Sequence, residues 1–192
     1  MTAIFYAHFK KAVEAYSPVP ETEMQRFAKA MQEKRVQKDE MLLKEGQVCR
    51  DFYFIVKGCL RKFSTENGAD VNVQFYFEDE FACDFSSYRY EVPSTYFIEA
   101  VENTIVYCGN KAEIKPLLDN DVFYPFAFRF FQEHYFQEEE HANQFKQLSP
   151  EQRYQFLIDN KPHYLQRIPL TLLASYLGVS RETLSRIRRK MR

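Results

Sequence analysis

Residues 169–192, PLTLLASYLGVSRETLSRIRRKMR, decide how the rest of the chain is read. They fall into two short amphipathic segments on either side of Gly178. Leu170, Leu172, Leu173, Tyr176 and Leu177 make an apolar stripe on the first, and Leu184 and Ile187 on the second. Ala174 is small where two helices must approach closely, Gly178 accepts positive φ in the turn, and Leu184 seats the second helix on the first. Ser180 stands where its hydroxyl can cap the second helix. The spacing predicts a helix-turn-helix.

The outer face of the second helix carries Arg181, Glu182, Thr183, Ser185, Arg186, Arg188, Arg189 and Lys190. These side chains suit a major groove: arginine pairs bidentately with guanine, glutamate accepts from the cytosine amine, and a threonine methyl meets thymine. Ser180, Arg181, Glu182 and Arg186 are expected at base edges. Thr171, Arg188, Arg189, Lys190 and Arg192 are expected on phosphates, where contacts give affinity without sequence preference. A merely solvated basic face is the competing reading, and the Ala174, Gly178 and Leu184 spacing argues against it.

The heptad at residues 180–186, SRETLSR, resembles the recognition helix of the CRP/FNR family of bacterial transcription regulators. The resemblance implies that Arg181, Glu182 and Arg186 read bases. It also implies a homodimer on double-stranded DNA, its two recognition helices entering successive major grooves about 34 Å apart, with RNA polymerase as a further partner.

Charge agrees with that division of labour. From Phe145 to the end, ten Lys or Arg oppose three Asp or Glu; the remainder has 16 basic against 24 acidic residues, so the basic excess is confined to the segment assigned to DNA. A hydrophobic fraction of 45% and a charged fraction of 28% are those of a globular chain, and 192 residues allow one large or two small domains. No apolar run reaches the roughly 20 residues of a membrane span, and the start MTAIFYAH lacks a signal peptide's basic and apolar segments, so a cytoplasmic protein is expected. Cys49, Cys59, Cys83 and Cys108 show no paired metal-ligand spacing and read as reduced thiols, mostly in a core. The FNR branch of the family holds an iron-sulfur cluster through N-terminal cysteines, and here none precedes Cys49.

Residues 1–35 read as helical, broken by the SPVP of residues 17–20. Residues 41–43, 52–57, 59–64, 71–77, 96–101 and 104–108 then read as short strands, with Gly46, Gly58 and Asn67-Gly68 at turn spacing, which predicts a small antiparallel barrel or jelly roll. Its Phe and Tyr residues are expected in the core. The fold class is α+β. Leu43-Lys44-Glu45-Gly46, residues 53–58 and Gly68 resemble the cyclic-nucleotide-binding roll of the same family, extending the likeness over residues 20–192.

In nucleotide-binding members of that family a Gly-Glu pair holds the ribose and an Arg-Ser pair clamps the cyclic phosphate. With Phe81 and Ala100 as anchors, those pairs become Cys83-Asp84 and Ser94-Thr95. Loss of the arginine removes a bidentate, charge-assisted partner worth about 1.5–3 kcal/mol per bond, which argues against cyclic AMP. Asp84, Arg89, Ser94 and Thr95 remain the candidate contacts for another effector; otherwise Asp84, Ser94 and Thr95 are capping or surface polar groups and Arg89 a solvated charge in a loop at residues 86–93. No cofactor is expected.

Residues 111–118 read as a short helix, and a long helix follows to about Lys146, with Asn120 or Asp121 as cap and Pro125 in its first turn. Phe123, Phe126, Phe128, Phe130, Phe131, Tyr135 and Phe136 make it aromatic nearly all round, so one face packs on the roll and another needs a twin. His134 and His141, one heptad apart, read as helix-surface histidines rather than metal or haem ligands. Gln147-Leu148-Ser149-Pro150 reads as a hinge and residues 151–159 as a helix. Three parts follow: a sensor roll at 1–118, a dimerisation helix at 119–147 and a DNA-binding domain at 148–192. The family's β-hairpin wing has no counterpart before Arg192, which predicts a wingless variant or a truncated chain, with weaker binding and a shallower salt dependence.

The expected function is that of a homodimeric regulator reading a near-palindromic site. The alternative is a small-molecule sensor or scaffold module without sequence-specific DNA binding. No nucleophile-base pair, phosphate loop or metal triad suggests an enzyme.

Overall fold

The computed structural model describes residues 2–191, with the side chains of Glu138, His141, Gln144, Phe145 and Lys146 outside the described set. The chain divides into two compact units, Met1–Lys62 with Phe75–Glu133, and Phe63–Gln74 with His134–Arg192.

The first unit opens with α1 (Ala3–Glu14), capped by the Thr2 hydroxyl, and α2 (Glu21–Lys29), with Glu21 and Glu23 at its positive end. Among the described residues eight strands follow: β1 (Gln32–Val36), β2 (Met41–Leu43), β3 (Asp51–Lys57), β4 (Leu60–Glu66), β5 (Ala69–Tyr76), β6 (Phe81–Ala82), β7 (Phe97–Ala100) and β8 (Thr104–Asn110). They form two four-stranded sheets, β1-β8-β3-β6 and β2-β7-β4-β5. This is the expected roll.

Three details differ from the sequence reading. Residues 32–36 form an edge strand rather than a helix end, with Gln32 opposite Cys108 and Val36 opposite Thr104. Four of its five side chains are exposed, so backbone pairing holds it and no apolar alternation reveals it. Phe81 and Ala82 pair with Phe54 and Tyr53 in a strand too short for a period to show. Residues 86–93 are not simply a loop, because α3 (Phe85–Tyr90) occupies most of them and ends on Glu91 in the left-handed region.

The core is aromatic. Phe5, Phe9, Phe27 and Phe54 are fully buried or nearly so, and Phe9 meets Phe54 edge to face with centroids 5.5 Å apart. Gly58 is obligatory at the β3–β4 turn, since its φ is +109° and a β-carbon there would lie 2.7 Å from the Thr104 Cα. α4 (Lys111–Leu118), capped by Asn110, leads to α5 (Tyr124–Gln147). Asn120 Oδ1 accepts from Val122 N and Phe123 N ahead of α5. Phe123, Phe126 and Phe130 face inward, and Phe130 packs edge-on against Phe81 at 5.3 Å. Tyr124, Phe128, Phe131, Tyr135 and Phe136 remain exposed.

The second unit contains the later part of α5, then α6 (Pro150–Asn160), α7 (Pro162–Arg167), α8 (Leu170–Tyr176) and α9 (Arg181–Lys190). Ser149 begins α6 with a capping box: Gln152 N donates to its hydroxyl and Ser149 N donates to Gln152 Oε1. That local stop-and-restart ends α5 at Gln147. α7 occupies a stretch read from sequence only as a lead-in, and buries Tyr164 against Tyr176. Tyr154, Leu157, Ile168, Leu173, Ala174, Leu177, Leu184 and Ile187 are buried in this unit as well. Asn72 N donates to Ser175 Oγ at 3.0 Å, Ser175 Oγ donates to Asp70 O at 2.7 Å, and Asn72 Nδ2 donates to Leu172 O at 3.3 Å, so the start of β5 rests on α8. Among the described residues no helix is long and apolar enough to cross a membrane.

Candidate functional site

α9 begins at Ser180, whose extended backbone turns the chain and whose hydroxyl accepts from Thr183 N at 3.2 Å. The same hydroxyl donates to Thr183 Oγ1 at 3.1 Å, so it is engaged in the cap. Gly178 has φ of +67°, which lets Val179 N reach back to Ala174 O and close the turn. Leu184 and Ile187 are buried, which fixes the rotation of α9 about its axis. The polar residues are therefore turned outward.

Arg181, Glu182, Ser185, Arg186 and Arg189 line a concavity of about 410 Å³ together with Leu170 of α8. Thr171 and Lys190 are exposed as well, while Thr183 and Arg188 are half-buried. Arg192 lies outside the described residues. Five of the eleven side chains expected at DNA thus share one hollow. Its charge balance is three guanidinium groups against one carboxylate, which favours an anion.

Two contributors escaped the sequence reading. Leu170 was assigned only to the apolar stripe, yet it borders the hollow. Arg153 on α6 donates from Nη1 to Leu177 O at 2.6 Å and from Nε to Leu148 O at 3.1 Å, holding the end of α8. An exposed-looking arginine in an amphipathic helix gives no sign of such a role.

In the roll, Asp84 and Ser94 do come together. Both are 3% exposed, and Ser94 Oγ donates to Asp84 Oδ2 at 2.6 Å while accepting from Tyr96 N. Lys62 Nζ lies 3.8 Å from Asp84 Oδ1 and 4.3 Å above the Tyr96 ring. The hydroxyl that Asp84 accepts is thus its own chain's. Neither residue is a surface group, and Asp84, though it precedes α3, makes no side-chain cap bond. Arg89 and Thr95 are exposed. Lys62 was missed because a lysine in a strand pattern reads as solvent-facing; its burial depends on partners distant in sequence.

Residues 33–121 match the cyclic nucleotide-binding domain family. The roll is of the cyclic nucleotide-binding type. The domain's fold continues into the helices that follow it, as three solved structures show. FixK2 from Bradyrhizobium japonicum is 18% identical with a TM-score of 0.71, covering 84% of this chain and 84% of its own. A Eubacterium rectale protein assigned to the crp/fnr family of transcriptional regulators is 16% identical, with a TM-score of 0.69 over 92% of this chain and 87% of its own. The c-di-GMP-responsive global regulator CLP of Xanthomonas campestris is 13% identical, with a TM-score of 0.67 over 90% of this chain and 91% of its own. No curated protein matches the sequence. The chain therefore shares the fold of CRP/FNR regulators around a cyclic nucleotide-binding domain.

Proposed function

We propose that the protein is a CRP/FNR-type transcription regulator that binds double-stranded DNA as a homodimer. The observation that carries this reading is the outward hollow of α9, where Arg181, Glu182, Ser185, Arg186 and Arg189 converge while Leu184 and Ile187 anchor the helix from behind. In this reading α8 and α9 are a helix-turn-helix. Arg181, Glu182 and Arg186 meet base edges, with Ser180 holding the helix start. Thr171, Arg188, Arg189 and Lys190 hold the backbone.

The dimer is argued from α5. Tyr124, Phe128, Phe131 and Tyr135 follow one another at four, three and four residues, the spacing of a coiled-coil seam, and all four are exposed. A second copy presenting the same stripe covers them. The sensor roll is residues 1–118, the dimerisation helix 119–147 and the DNA-binding part 148–192, with the capping box at Ser149 as the hinge. Such a regulator works in the cytoplasm and meets RNA polymerase at its promoters.

Selection from random duplexes followed by mobility shift is expected to yield a near-palindromic motif. Arg181→Ala is expected to weaken binding to that motif by about 1–3 kcal/mol and to relax preference at one base pair per half-site. Recovery of no motif, or of one that Arg181→Ala leaves unchanged, would refute the assignment.

The family match over residues 33–121 supports a second reading, a sensor whose basic terminal helix adds charge alone. The buried Lys62–Asp84–Ser94 cluster weighs against cyclic AMP in particular, because Asp84 is already satisfied and the usual arginine is Ser94. Calorimetry with cyclic AMP is expected to give no heat at micromolar protein. Tight binding there, without sequence-specific DNA affinity, would favour the sensor.

A further inference from the structure

Asn67 and Gly68 close the β4–β5 hairpin in two residues, with φ of +52° and +80°, the paired left-handed geometry of a tight hairpin turn. Such a turn directs the backbone groups of its fourth residue, Ala69, at β4. Backbone direction alternates along a strand, so Asp70 and Asn72 turn theirs to the outer edge of β5. Among the described residues β5 is the last strand of its sheet. An edge of this kind needs a cover.

α8, in the same compact unit as residues 63–74, provides one. The Ser175 hydroxyl accepts from Asn72 N at 3.0 Å and donates to Asp70 O at 2.7 Å, so one side chain takes both backbone groups as a neighbouring strand would. Asn72, 2% exposed, adds a bond from Nδ2 to Leu172 O at 3.3 Å. Leu172 and Ser175, three residues apart, share one face of α8, while Leu173, Ala174 and Leu177 are buried on another. With seven residues α8 is below the roughly 12 that an isolated helix needs, so the contacts on its two faces decide where it sits. Leu170, a wall of the α9 hollow, and exposed Thr171 are carried with it.

We propose that Ser175 and Asn72 are positioning residues for DNA: the edge of β5 docks α8 and so holds the α8–α9 pair in the arrangement that meets a duplex. This role rests on the DNA binding proposed above and adds a scaffold from within the chain, since residues 148–192 alone lack the strand on which α8 is seated. Both side chains are turned to each other's element rather than to DNA. Loss of the dock therefore weakens binding to every sequence alike and leaves the preferred bases unchanged, unlike loss of Arg181.

The whole chain is compared as wild type, Ser175→Ala and Ser175→Thr, by hydrogen–deuterium exchange with peptide mass analysis and by mobility shift on the motif that wild type selects. Ser175→Ala removes one hydroxyl from a half-buried helix position, so the fold is retained. It is expected to speed exchange over residues 170–177 about tenfold, the scale of losing these hydrogen bonds, with residues 104–110 of the roll as the unchanged reference. Binding is expected to weaken about tenfold with the same base preferences, because the duplex must first restore the docked arrangement. Ser175→Thr keeps the hydroxyl and is expected to stay within about twofold of wild type in both measurements. Unchanged exchange in α8 of Ser175→Ala overturns the dock. Faster exchange with undiminished affinity overturns its role in binding, as does a Ser175→Thr protein as impaired as Ser175→Ala. If wild type selects no motif, the DNA assignment fails instead, and the exchange comparison still decides whether β5 holds α8.

Discussion

Phe128→Glu is expected to convert the proposed dimer to a monomer and to remove binding to the proposed near-palindromic site. Phe128 is 57% exposed and stacks with Tyr124, centroids 6.3 Å apart, in the outward stripe of α5. A twin helix would cover on the order of 100 Å² of its ring, at about 25 cal/mol/Å². Two-fold symmetry counts the residue twice, giving about 5 kcal/mol before any charge is buried. Placing two carboxylates face to face in an apolar seam adds desolvation and repulsion of the same sign. The dimer dissociation constant should therefore rise by more than about three orders of magnitude at about 1.4 kcal/mol per tenfold. Sedimentation at micromolar protein measures this directly. The fold should survive, because the stripe that packs into the roll is Phe123, Phe126 and Phe130, on the other side of α5. A variant that remains dimeric, or a wild-type chain that sediments as a monomer, rejects α5 as the seam.

What the sequence revealed depended on whether a residue's partner was near in the chain. The α8–α9 turn was legible because its requirements are local: a small Ala174 and positive φ at Gly178, followed by the Ser180 cap and the anchor Leu184. The strands with buried faces were legible for the same reason, since Phe52, Phe54 and Leu60 announce a core in their own segments. β1 was not, because its ladder to β8 uses backbone groups that every residue has. The cassette was half legible. Cys83-Asp84 and Ser94-Thr95 were located through a resemblance, but nothing local says that Ser94 binds Asp84 or that Lys62 comes in from β4. The contact of Cys49 with Cys83 is likewise created only by the roll.

Glu99→Ala is expected to be the most destabilising single change in the second sheet, and the reason is strand geometry. Successive residues of β4 point to opposite faces, so Leu60 and Lys62 share the core face and Arg61 takes the other. On neighbouring β7, Ile98 and Ala100 belong to the core and Glu99 is turned away with Arg61. Both charged side chains are nonetheless about nine-tenths buried, with Arg61 Nε 2.5 Å from Glu99 Oε2. Removing the carboxylate takes an opposing charge from a buried guanidinium, a loss of about 3–5 kcal/mol. For a chain of this size that corresponds to a Tm lower by roughly 6–20 °C. Replacing both residues, as Arg61→Met with Glu99→Leu, removes the charges and refills the volume, and is expected to recover most of that loss. Calorimetric melting of the three proteins separates an ion pair from simple packing. If the double replacement melts as low as Glu99→Ala, the stability came from shape; if Glu99→Ala melts within about 2 °C of wild type, below what even 1 kcal/mol would shift, the pair is solvated and the burial argument for this sheet is wrong.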